Sequence, residues 1–171
     1  LESVQSVAFL RTAQPQPQTD GPYTADDFVL LDASAENPEY AARLYYPDKN
    51  GLLTPVTTVL ACTDPGQLPL LALQALIRAT VPVNLSRVVP AGTQVMDISV
   101  SDGTASVVLS DQFMSCDTSA ARAGGAVRSI AATLCDLSGV TAVRLSVIGE
   151  SGLTYYDISE PITPQPAWFS E

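Results

Sequence analysis

The side chains that could carry chemistry are few and scattered. The 171-residue chain has no histidine, which removes Ser-His-Asp and Cys-His nucleophile systems and every His-containing zinc site. Carboxylates, hydroxyls and three thiols remain. Asp48-Lys49-Asn50-Gly51 has the D-x-N-G opening of a calcium loop, but such a loop needs further oxygen ligands and a bidentate Glu at its twelfth position. Leu52-Leu53-Thr54-Pro55 follows at once, so the segment is read as a plain turn. Asp26-Asp27 offers two adjacent carboxylates, whereas acid–base hydrolysis uses a pair flanking the scissile bond; loop or helix-start acids fit better. Ser101, Ser106 and Ser110 lack a G-x-S-x-G elbow and a nearby base and are assigned to a solvated hairpin face. Tyr45, Tyr46 and Trp168 are weighed as a glycan-stacking surface against core or edge packing, and packing is favoured.

Cys62, Cys116 and Cys135 are too far apart in sequence for a metal knuckle, and their odd number leaves at least one unpaired within the chain. Cys116 and Cys135 flank an expected helix of ~16 residues, about 25 Å of rise, and a disulfide needs Cα atoms within about 7 Å. Cys62 and Cys116 each lie between a strand and the helix after it. A disulfide joining them at one end of the sheet is the pairing left open. No cofactor and no metal are expected.

Charge excludes further classes. The net charge is −10, with eight Lys and Arg of which only Lys49 is a lysine. Phosphate backbones and anionic membrane surfaces both need clustered cations, so no nucleic-acid partner is expected. No apolar run reaches the ~18 residues of a membrane span, and the first residues lack a basic n-region. The expectation is a soluble chain, with a signal or lipid anchor removed upstream left open.

The elements that must position these residues centre on Val95 to Ser110. Asp102-Gly103 is the dipeptide preferred in a two-residue type I′ turn. Folding about it sets Ser101 against Thr104, Val100 against Ala105, Ile98 against Val107 and Met96 against Leu109. One face is then wholly apolar and the other largely polar, so the register is strongly specified. Upstream, 1–12 reads as a strand, 13–40 as a proline-rich linker with a short strand at Phe28 to Asp32, and Ala42 to Tyr46 as a strand stopping at Pro47. Leu53 to Ala61 is a second strand, placed at an edge or given a bulge by Pro55.

Asp64-Pro65 reads as a helix cap and N1 proline. Leu71, Ala72, Ala75, Leu76 and Ala79 form the stripe of the helix it starts, widened by Leu73 and Ile77. A second helix begins near Thr118 or Ser119 with Ala123, Val127, Ile130, Leu134 and Leu137 inward, weakened by Gly124-Gly125. Val140 to Ile148 alternates Val143, Leu145 and Val147 inward. The proline-containing tail, 153–171, lies over the domain through Tyr155, Tyr156, Trp168 and Phe169. The fold class expected is α/β (α+β): a mixed sheet in the order β-β-α-β-β-α-β with two helices on one face.

This series resembles the GerMN domain of sporulation and spore-germination proteins over 41–152. The matching pieces, in order, are A-R-L-Y-Y-P with Tyr46, P-x-G-T at Pro90, Gly92 and Thr93, and D-G-x-A-x-V-x-L-S at Asp102, Gly103, Ala105, Val107, Leu109 and Ser110. T-L at Thr133 and Leu134 and G-V-x-x-V at Gly139, Val140 and Val143 close it. A Gly-Pro common after the family's first helix is replaced by Ala79-Thr80-Val81-Pro82. The resemblance implies a non-catalytic extracytoplasmic module similar to the ring-building motifs of secretion-type assemblies. It implies location at the membrane or wall of a Gram-positive envelope, often on a lipoprotein, and an envelope protein or a second copy as partner. Binding of a wall polymer or small ligand, and service as a lipoprotein accessory to a sensor kinase, are the alternatives. Leu1 to Phe9 also echoes Leu137 to Leu145, either as the last strand of a preceding copy or as a chance likeness between Val-rich strands.

Overall fold

A computed structural model describes residues 38–170. The linker's short strand, Asp26-Asp27 and the N-terminal echo lie outside those residues; of the expected linker only 38–40 is described, and its last two residues already belong to the first strand.

The first hairpin joins β1, Glu39–Pro47, to β2, Leu53–Ala61, around the Asp48 turn. Asp48 holds that turn by accepting from Asn50 N at 2.8 Å and Leu52 N at 2.9 Å, with Gly51 at φ 81°. In this ladder Asp48 N donates to Leu52 O, so Tyr46 and Thr54 face each other's backbones and Tyr45 and Pro55 face away. Pro55 therefore sits where its missing N–H costs no ladder bond. On the β1 side, Tyr45 N donates to Thr133 Oγ1 at 3.0 Å.

A helix side chain thus occupies the place where a third strand would add. The five strands form two sheets, where one was expected. β3, Val95–Ser101, and β4, Thr104–Leu109, form the predicted hairpin, and β5, Ala142–Val147, lies parallel to β4, giving the order β3-β4-β5. Asp102 and Gly103 take φ 50° and 76°, the positive pair a type I′ turn demands.

The predicted register holds from Ser101 to Asp97 and then shifts. Val95, not Met96, faces Leu109, and Met96 becomes the bulged residue, 52% exposed. The cause lies one step beyond the strands. Ser110 N donates to Gln94 O and Gln94 N donates to Ser110 Oγ, both at 2.9 Å, a closed ring that leaves one residue of β3 in excess.

Asp64 caps the short turn Pro65–Gln67, and α1, Leu68–Arg78, follows with Pro69 in its first turn. The residues expected to widen its stripe, Leu73 and Ile77, are fully in the core, while Leu71 and Ala75 are half-buried. The helix stops at Arg78, short of Pro82, and Arg87 caps its free carbonyls by donating to Ile77 O and Ala79 O. The second helix, α2, Ala120–Cys135, starts at Ser119, whose hydroxyl accepts from Arg122 N. It is buried around most of its circumference because β1, α1, β5 and the tail all pack on it.

That packing explains Gly124-Gly125. A Cβ would stand 3.3 Å from the Tyr156 ring at the first position and 3.3 Å from Val88 Cγ1 at the second. Both sheets and both helices share one core, from Leu44, Tyr46 and Leu53 through Leu73 and Ile130 to Val107, Leu109, Val143 and Leu145.

Residues 153–170 are part of this body. Val143 and Ile162 exchange backbone bonds of 2.9 and 2.7 Å, an antiparallel bridge on the outer side of β5. Further on, Phe169 bridges Leu53 of β2, and Ser170 N donates to Leu53 O at 3.1 Å. Trp168 is buried beneath Arg128, and Phe169 packs edge-on against Tyr45 with ring centroids 5.4 Å apart. Tyr155 is half exposed.

Candidate functional site

The motif residues fall into three structural groups. At the hairpin tip, Gly103 O accepts from Thr141 N at 2.7 Å, Ala142 N at 3.2 Å and Thr141 Oγ1 at 3.1 Å, which starts β5 beside β4. A Cβ on Gly103 would meet Thr141 Oγ1 at 2.9 Å, so glycine is required there by both dihedral and space. Ala105, Val107 and Leu109 point from β4 into the core, opposite Val143, Leu145 and Val147.

At the other end of the hairpin, Thr93 N donates to Pro90 O at 3.0 Å, closing the P-A-G-T turn ahead of the Gln94–Ser110 ring. Ser110 is therefore buried and bonded, not part of a solvated face. Ser101 is exposed and Ser106 half-buried.

The third group joins α2 to β1. Thr133 and Leu134 are completely buried, and Gly139, at φ 85°, turns the chain after the helix toward Val140. Beside Thr133, the helix-end residue Asp136 accepts from Arg43 Nε at 2.9 Å and from Arg43 Nη2, and Tyr45 Oη donates to it at 3.2 Å. Burial opposes the Arg43 charge, but the hydrogen bond and charge of Asp136 outweigh it and hold the guanidinium pKa above its ordinary value. Burial, with the Asp136 charge behind it, likewise pushes the Tyr45 phenol up.

Tyr45, Tyr46 and Trp168 do not form a stacking surface. They are 4%, 2% and 7% exposed, and Tyr46 Oη donates to Leu76 O. The disulfide left open between Cys62 and Cys116 is not formed, and all three cysteines are free. That pairing rested on one sheet carrying both loops; here Cys62 follows a strand of one sheet and Cys116 a strand of the other. Burial pushes the Cys116 thiol up to about 11, with Asp117 adding to it, and the Cys135 thiol up to about 12. Neither is a thiolate nucleophile at neutral pH.

An open depression of about 420 Å³ lies among Met114, 150–154 and Asp157–Ser159. Its rim carboxylate, Asp157, accepts from Ser159 N at 2.9 Å and Ser159 Oγ at 2.6 Å, bonds that hold its pKa low. Nearby Asp117 accepts from Thr154 N at 2.7 Å and Tyr155 N at 3.0 Å, which ties the tail to the start of α2. Among the described residues no three Cys, Asp or Glu side chains converge as a metal set, and no helix is long and apolar enough to cross a membrane.

Residues 43–152 match the family described as Germane, sporulation and spore germination. The chain belongs to that family. The tandem GerMN domains of the sporulation protein GerM from Bacillus subtilis superpose with a TM-score of 0.60 at 17% identity, covering 84% of this chain and 49% of that one. The first GerMN domain of the same protein gives 0.52 at 23% identity, covering 77% of this chain and 97% of that one. A candidate lipoprotein from Clostridium perfringens gives 0.53 at 17% identity, covering 74% and 87%. At these identities the likenesses establish the fold. No protein with a curated description matches. The motif residues on which the resemblance rests are turn, cap and core positions in this fold, and sequence reasoning missed the partners that make them so. Thr141 is the clearest case: it stands one residue after the G-V of its own motif and supplies the contact that makes Gly103 indispensable.

Proposed function

We propose that this GerMN domain is a non-catalytic, extracytoplasmic interaction module that helps build or anchor a protein complex in a Gram-positive envelope during sporulation or germination. One observation carries the reading: the motif residues on which the resemblance rests are committed to the scaffold. Gly103, Ser110 and Thr133 each spend their distinctive property on a turn, a ring or a strand-to-helix bond. Such a motif preserves a shape, and what a preserved shape offers is its surface. The candidate lipoprotein among the structural neighbours supports a membrane-anchored setting. Wall-polymer binding loses its aromatic basis with the burial of Tyr45, Tyr46 and Trp168.

The test is cross-linking of this chain, used as bait, in the envelope of sporulating cells that produce it. Recovery of a defined envelope protein, lost when the bait is unfolded, supports the module and names its partner. Retention on purified peptidoglycan with no protein recovered overturns it.

A further inference from the structure

At the outer edge of β3, unpaired backbone coincides with two incompletely covered apolar side chains. In a two-residue hairpin the residues flanking the turn exchange backbone bonds, and alternate residues then face the partner strand. Ser101, Ser99 and Asp97 therefore face β4, and the N–H and C=O of Ile98 and Val100 point outward from the outer strand of the sheet. The same two residues carry apolar side chains on the face shared with Ala105 and Val107. The helices do not fully cover that face at β3: Val100 is 44% exposed and Ile98 only half-buried. The strand carries no lysine and no proline, the usual guards of an edge. Its one charge is Asp97, beside the Met96 bulge.

We propose that this edge pairs with the same edge of a second copy, antiparallel, about a two-fold axis at Ser99. The sequence D-I-S-V-S is self-complementary in that register alone. Ile98 meets Val100 of the other copy twice, Ser99 meets Ser99, and Asp97 meets Ser101. Both outward-facing residues of each strand find a backbone partner, apolar side chains meet only apolar ones, and the acids never oppose each other. The pairing also ends before the Met96 bulge. An axis one residue earlier, at Ile98, would need the bulged Met96 in the ladder opposite Val100.

Like charge explains why the contact is conditional. Each copy carries −10, and that repulsion is screened within about 10 Å at 0.1 M salt and about 3 Å at 1 M. Five residues a side bury far less than the ~1,200 Å² of a standing interface, so association is weak in solution and strengthened where copies are held together. This inference rests on the assembly reading and gives it one surface and one partner, a second copy of this chain.

Sedimentation equilibrium of the whole chain, at rising concentration in 0.05 and 0.5 M sodium chloride, is the test. The expected result is a mass rising toward two copies with concentration, more steeply at the higher salt. Ser99→Lys sets two ammonium groups opposite each other on the axis and abolishes the rise. Ser99→Cys, at an exposed position, made in a chain whose half-buried Cys135 is replaced by alanine, yields a disulfide-linked dimer on mild oxidation that the Cys135→Ala chain alone, with Cys62 and Cys116 buried, does not. A single-copy mass at every concentration, with no cross-link in Ser99→Cys, overturns the proposal. A dimer that survives Ser99→Lys and leaves Ser99→Cys unlinked also overturns it, while leaving the assembly reading intact; the envelope capture above decides that reading separately.

Discussion

Replacing Gly103 by alanine isolates what the hairpin tip does for the fold. Two costs add. An L-residue held at φ 76° is strained by roughly 1–2 kcal/mol. The new Cβ would also stand 2.9 Å from Thr141 Oγ1. That side chain must rotate away, giving up its 3.1 Å bond to Gly103 O, a net loss of about 1 kcal/mol. Gly103→Ala should therefore destabilise by about 2–3 kcal/mol, and at an ordinary urea slope of ~2 kcal/mol/M the midpoint should fall by roughly 1 M with the slope unchanged. Thr141→Ala alone should cost about 1 kcal/mol. Placed together, the two should cost about 1 kcal/mol less than their sum, because the clash needs both partners. Additive costs, or a Gly103→Ala loss below about 0.5 kcal/mol, would refute the argument that dihedral and close approach act jointly.

Three further outcomes follow from the same geometry. Thr133→Val keeps the volume but leaves the buried Tyr45 N–H without an acceptor, and should lower stability by about 1–3 kcal/mol, read as a lower urea midpoint; Thr133→Ser should retain the bond and lose less. Trp168→Ala empties the slot beneath Arg128 and should cost about 3–5 kcal/mol, seen as a large drop in melting temperature and new protease sensitivity in 153–170. The pH profile has two edges. Cys116 and Cys135, raised to about 11 and about 12 from 9.0, are kept neutral by the fold, so their stabilising effect is complete below pH 9 and lost as pH rises through 11 to 12. Asp48, Asp117 and Asp157 are depressed below 3.8, so theirs is present above pH 4 and lost on further acidification; midpoints measured from pH 2 to 11 should show a plateau between about 4 and 9.

The sequence was most legible where one interaction type decides the outcome. The dihedral preference of Asp102-Gly103 is enough to announce its turn, and Ser119 and Asp64 cap their turns with their own side chains, so these could be read locally. Register past Asp97 could not, because the Gln94–Ser110 ring that displaces Met96 joins residues sixteen apart through a serine that looks like any surface serine. The division into two sheets was hidden for a related reason. On the β1 edge the backbone partner is Thr133, a helix hydroxyl accepting from a strand N–H 88 residues away, and no periodicity records that. The disulfide left open and the solvated Ser110 followed from the same missing long-range partners. The candidate glycan platform failed on burial: Arg128 of α2 covers Trp168, Phe169 of the tail packs on Tyr45, and Tyr46 bonds α1.

The tail's attachment sets the order in which the domain can be completed. Ser170 bonds Leu53 from 117 positions further along the chain, and Ile162 adds to β5 on the way. Synthesis from the N-terminus delivers the first hairpin early and its closing stitch last. Until residue 170 has emerged, Tyr45 lacks its ring partner, Trp168 has not filled its slot and β5 keeps an open flank. The first hairpin waits for that stitch across almost the whole length of the domain, so closure is set by long-range contacts and is correspondingly slow. During that interval the unfinished domain exposes the surfaces that its own final residues later cover.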